Sequence, residues 1–191
     1  GGTVIWGLLL ISCVMANRTM LAPPQIVGAT FVGNKACSEC HEDRTSHFDS
    51  ATHAKVALTA DAKLGSTGCE ACHGPGSRHV QTGGSLGTIV NPKKSPETCF
   101  ACHLDKRGTF ALPNSHQVAN GKMSCGDCHD PHEGNVIKGT GASIEAENEN
   151  CTKCHSAQKG PFVFKHQAMK EGCTACHNPH GSVNAKMLVA R

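Results

Sequence analysis

Twelve cysteines and six histidines of this chain fall into six copies of one pattern, C-x-x-C-H. They are Cys37, Cys40 and His41; Cys69, Cys72 and His73; Cys99, Cys102 and His103; Cys125, Cys128 and His129; Cys151, Cys154 and His155; and Cys173, Cys176 and His177. Two thiols at this spacing can add across the vinyl groups of one haem, and the next residue then brings an imidazole under the iron as proximal ligand. Paired C-x-x-C also builds zinc sites, and the gap from Cys151/Cys154 to Cys173/Cys176 is of the zinc-ribbon kind. The histidines decide between the two. With 13 His in 191 residues, a His after all six second cysteines arises by chance on the order of once in ten million, and zinc chemistry has no need of it. Each copy reads as an attachment site for c-type haem (heme c), six in all.

Six irons need six further ligands, and the histidines outside the motifs recur in step with them. Three units share one plan: a motif, a lone His, a second motif, and a trailing His. They run 37–79, 99–132 and 151–180, and contribute His53 and His79, His116 and His132, and His166 and His180. Six motifs and six such histidines match what bis-histidine ligation requires. His47 is left over and reads as a surface residue. Met123, Met169 and Met187 recur in no register between units, so packing rather than ligation is their expected role.

The rest of the composition fits this chemistry. There is no Tyr, one Trp and six Phe, too little large apolar side chain for an ordinary core in a chain of this length. The haems must supply the core, so folding is expected to require their attachment. The expected fold is mostly irregular with short α-helices, a haem-cored multihaem cytochrome c with an N-terminal transmembrane helix. The formal charge is +3, but six haems bring about twelve propionates, which makes the loaded protein acidic. Together with the lack of any Lys/Arg run, this excludes a nucleic-acid partner.

The elements that must position these sites are only coarsely readable. Residues 1–16 are uncharged and apolar, and as a helix they span roughly 24 Å against the ~30 Å of a bilayer core. We read residues 1–20 as a membrane anchor and 21–35, with Pro23-Pro24, as a linker. Residues 36–191 form one hexahaem domain. The alternative is lipidation at Cys13 within Leu10-Ile-Ser-Cys13. Covalent haem attachment takes place outside the cytoplasmic membrane, which puts the domain on the periplasmic or other extracytoplasmic side. The stretch Ser50–Leu64 has a capping Ser, Ala-rich composition and Gly65 as a stop, and predicts the longest soluble helix. A short helix carrying Cys99 is expected from Pro96, and another over Glu145–His155. Residues 81–94 and 133–141 read as surface connections.

Three stretches carry a resemblance: Cys69-Glu-Ala-Cys-His-Gly-Pro-Gly-Ser-Arg-His79, Cys125-Gly-Asp-Cys-His-Asp-Pro-His132, and Cys173-Thr-Ala-Cys-His-Asn-Pro-His-Gly-Ser182 preceded by Gly160-Pro-Phe-Val-Phe-Lys-His166. They resemble the periplasmic decahaem cytochromes of outer-membrane electron conduits, and more broadly the paired C-x-x-C-H cytochromes. The resemblance implies closely spaced bis-His haems and supports His53, His79, His116, His132, His166 and His180 as distal ligands. This chain departs from it in having six motifs rather than ten and an apolar N-terminal segment, so a porin partner does not carry over.

Three functions compete. The first is an electron carrier exchanging electrons with a partner redox protein or a membrane-bound electron-transfer complex. The second is a reductase of a small inorganic substrate, which needs an iron with an open position. The third is a subunit of a polymeric cytochrome filament. Six distal His for six motifs leave no iron open, so the carrier is expected and no enzyme activity with it.

Overall fold

The computed structural model describes residues 24–55, 68–133, 137, 143–163 and 170–190. The anchor expected over 1–20, most of the helix expected over Ser50–Leu64, and both His166 and Met169 lie outside the described residues.

Each C-x-x-C-H closes one helical turn. The N–H of the motif histidine donates to the carbonyl of its first cysteine in five copies: His41 to Cys37 at 2.9 Å, His103 to Cys99 at 2.9 Å, His129 to Cys125 at 2.9 Å, His155 to Cys151 at 3.0 Å and His177 to Cys173 at 2.9 Å. Such a turn brings the first thiol and the imidazole to one side of the backbone. Six short helices carry the motifs: α1 (Asn34–Ser38), α3 (Cys69–His73), α5 (Glu97–Phe100), α7 (Cys125–Cys128), α8 (Ile144–Thr152) and α9 (Cys173–Cys176). Three more join them: α2 (Glu42–Phe48), α4 (Ser77–Gln81) and α6 (Leu104–Phe110).

The helix expected from Pro96 is α5, with Pro96 at its N-cap, and that expected over Glu145–His155 is α8. Ser143 caps α8 by accepting from the N–H of Ala146 at 3.2 Å, with Glu145 and Glu147 in its positive first turn. Of the stretch expected as the longest helix, the described part forms a 3₁₀ turn at Thr52–Lys55.

The repeat is visible in the backbone. The histidine closing the first motif of each unit kinks the chain (His41 at φ −116°, ψ 43°; His103 at −101°, 54°; His155 at −92°, 55°), and a new helical turn starts at once. His129 and His177, closing second motifs, instead lead into extended chain (φ −113°, ψ 145° and φ −116°, ψ 136°). Among the described residues there is no strand, only isolated bridges such as Asn114 with Ser182 and His177 with Leu188.

The apolar core is small. Phe100, Phe110 and Val118 form one buried cluster, with Met123 and Cys125 packed against it. Ala51, Val90 and Ala101 are the other buried apolar residues among those described, and so few cannot hold a chain of this length together. Met123 takes the packing role expected of it. No helix among the described residues is long and apolar enough to cross a membrane.

Candidate functional site

In the first and third units the second motif is anchored by a residue near the first motif. Asn34, three positions before Cys37, accepts from the N–H of Cys69 at 3.1 Å, and Asn148, three positions before Cys151, accepts from the N–H of Cys173 at 2.9 Å. Each caps a helix preceded by a glycine at positive φ, Gly68 (71°) and Gly172 (90°). A Cβ on Gly68 would meet the Asn34 amide. In the middle unit Ser124 and Asp127 form a capping box instead, the Ser124 N–H donating to Asp127 Oδ2 at 2.8 Å.

Glu70, inside the second motif, is 2 % exposed and ties the N-terminal segment to it. Its carboxylate accepts from the N–H groups of Val32 (3.0 Å), Gly33 (2.8 Å) and Gly76 (2.8 Å).

The histidines are brought together two by two. Ring centres stand 6.3 Å apart for His41 and His79, 6.2 Å for His73 and His132, 6.2 Å for His53 and His103, 6.1 Å for His129 and His180, and 6.0 Å for His116 and His155. Each pair joins one motif histidine to one from outside the motifs. Only His41–His79 stays within its unit. The trailing His132 and His180 reach back to the second motif of the preceding unit, and the lone His53 and His116 reach forward to the first motif of the next. The three units are interlocked. His177 belongs to the same series, but His166 lies outside the described residues.

The separation is nearly constant while the interplanar angle runs from 10° to 67°. A shared metal accounts for this spacing: with a metal–nitrogen bond of about 2 Å on each side and each ring centre about 1 Å beyond its nitrogen, centres stand roughly 6 Å apart. Among the described residues no group of three or more His, Cys, Asp or Glu side chains converges as a zinc site would require. The donor set therefore fits haem, with thiols at one edge and an imidazole on each face.

The imidazoles are prepared for ligation. His73 donates from Nδ1 to the Val90 carbonyl (3.1 Å), His116 to that of Pro179 (2.7 Å) and His177 to that of Lys186 (2.8 Å), while His132 donates to Asp130 Oδ1 (2.9 Å). A proton held on Nδ1 leaves the Nε2 lone pair for a metal. Burial pushes His53, His73 and His180 below the ordinary histidine range, so they are neutral near pH 7. His47 is exposed on α2 and interacts with its own helix, Nδ1 facing the Asp43 carbonyl at 2.9 Å.

The sulfurs order the motifs. First cysteines interact in pairs within every unit: Cys37 with Cys69, Cys99 with Cys125, and Cys151 with Cys173. Burial, then the neighbouring thiol, pushes Cys37 and Cys151 up to about 11. Between units Cys72 lies within electrostatic reach of Cys102, and Cys151 within that of Cys128. Neighbours in sequence are thus neighbours in space along all six motifs.

Asn34, Asn148, Glu70 and Asp130 escape a search for haem ligands. The recurrence of Asn three residues before the first cysteine of two units is the signal that could have found the first two.

The family model of the doubled CXXCH motif matches residues 116–160 and 166–191. Multiheme cytochrome MtrA of Shewanella baltica is 30% identical over 163 residues, covering 79% of this chain and 47% of that protein. C-type polyheme cytochrome OmcB of Geobacter sulfurreducens is 24% identical over 191 residues, 94% of this chain and 24% of its own. Cytochrome c-554 of Nitrosomonas europaea is 25% identical over 166 residues, 81% of this chain and 60% of its own. The chain spans about half the length of MtrA.

Proposed function

We propose that this chain, a multihaem c-type cytochrome of the paired C-x-x-C-H type, is a hexahaem electron-transfer protein whose irons are all held between two histidines. The observation that carries this reading is the set of five imidazole pairs at 6.0–6.3 Å. When bound, each haem supplies a one-electron ferric/ferrous couple, and two imidazole ligands stabilise the ferric form. The chain's own residues do the rest. Cys37, Cys69, Cys99, Cys125, Cys151 and Cys173, with the second cysteine of each motif, would hold the cofactors covalently. The paired histidines would ligate the irons and leave no position open to a substrate.

His166, by its place in the repeat, is the sixth distal ligand of this reading. His41 and His79 pair within the first unit. The electrostatic coupling between sulfurs of successive motifs supports a single row in sequence order.

The location follows from the chemistry of attachment, which takes place outside the cytoplasmic membrane. There the domain is held by an N-terminal helix over residues 1–20 and exchanges electrons with redox proteins, among them a membrane-bound complex. Protein-film voltammetry tests the function. Six reversible one-electron couples, with no catalytic current on adding nitrite, hydroxylamine or sulfite, are expected. A catalytic wave with any of these substrates would make the chain a reductase.

A further inference from the structure

The five pairs are not equivalent, and two that are neighbours in the row differ in the angle between their rings and in the hydrogen bonding of Nδ1. His73 and His132 are nearly parallel, at 24°. Both hold their Nδ1 protons in hydrogen bonds, His73 to the Val90 carbonyl at 3.1 Å and His132 to the Asp130 carboxylate at 2.9 Å. His53 and His103 are twisted to 67°, and Nδ1 of His53 is buried with no hydrogen-bond partner. Cys72 lies within electrostatic reach of Cys99 and Cys102 across the junction between these two sites.

Each difference acts in the same direction. A hydrogen bond from Nδ1 makes an imidazole a stronger donor, above all when the acceptor is a carboxylate, and a stronger donor favours ferric iron. Each ligand donates from the π-orbital perpendicular to its own ring. Parallel rings therefore raise one iron d-orbital together, and the ferric hole settles in it. Twisted rings raise two orbitals equally and give the ferric state less. We propose that the His73/His132 and His53/His103 sites form a step in reduction potential at the junction of the first and second units, low on the His73 side and high on the His53 side. Asp130 is the positioning residue that sets the low side, its charge partly offset by Arg44 at 3.8 Å. An electron passing toward the second unit runs downhill at this junction, and one returning runs uphill.

This inference rests on the bis-histidine reading, and the test separates the two. Paramagnetic resonance of the loaded chain, followed through a stepwise reductive titration, resolves rhombic low-spin signals from parallel pairs and large-gmax signals from twisted ones. Both types are expected in the oxidised protein, and a large-gmax component should disappear first on reduction, with a rhombic one disappearing last. Asp130→Asn keeps an oxygen for the two His132 N–H groups and removes only the charge. It should move one couple, that of a rhombic signal, to higher potential and leave the iron low-spin. A single signal type, a reversed order of reduction, or no couple of a rhombic signal moved in Asp130→Asn would overturn the step while leaving bis-His ligation intact. High-spin iron in the unaltered protein would overturn the ligation itself, and the step with it.

Discussion

The rings of His73 and His132, which belong to different units of the repeat, stand 6.2 Å apart, and the His132 Nδ1–H is fixed on Asp130. A histidine from the second unit thus pairs with a motif histidine of the first, and on the bis-histidine reading the first unit fills only one of its two sites by itself.

His132→Ala should convert one iron in six to the high-spin form, and added imidazole should restore it. The affected iron is the one attached through Cys69 and Cys72. If those two cysteines are replaced first, so that this haem is never attached, His132→Ala should open no further iron. A new high-spin signal in that combined variant would refute the crossed pairing.

His47→Ala should leave the haem spectrum unchanged, because its ring interacts within α2 and pairs with no other imidazole among the described residues. His53→Ala should instead open the site of His103. The opposite outcome would mean that the two histidines have exchanged roles.

Glu70→Ala leaves three backbone N–H groups without their acceptor in a buried place. An orphaned buried donor costs about 1–3 kcal/mol, and at about 2–4 °C per kcal/mol for a chain of this size the thermal midpoint should fall by several degrees. Glu70→Gln, which retains one oxygen, should lose less. An unchanged midpoint for the alanine variant would show that the segment 30–33 is held by other means.

Acid should weaken the fold in a defined direction. Burial holds His53, His73 and His180 below the ordinary value of 6.5, so below that pH the unfolded chain binds more protons than the folded one. Stability is level above about 6.5 and falls as the pH drops beneath it. Soret spectra should stay low-spin at pH 7 and 8 and lose that form only on further acidification. Ligand loss beginning above 6.5 would contradict the burial of these rings.

The chemistry of this chain was legible in its sequence because covalent haem attachment demands a fixed spacing, and because the lone histidines keep step with it. Which imidazole meets which was not. His53 and His116 lie close in sequence to motifs whose histidines they do not meet, and their partners follow from how the units cross. The small core was foreseeable from the absence of Tyr and the six Phe, and α5 from Pro96. Glu70 and Asp130 were not, since a carboxylate beside a motif reads as solvent-facing until the backbone donors around it are placed.

The central claim is that every iron lies between two histidines, and near-infrared magnetic circular dichroism of the oxidised chain tests it most directly. Mass spectrometry first fixes the number of attached haems, with six expected for the six motifs. The charge-transfer band of bis-histidine ferric haem should then account for all of them, with no histidine–methionine or high-spin band. An intensity short of the haem count by one or more irons, with a high-spin band in its place, would contradict the account.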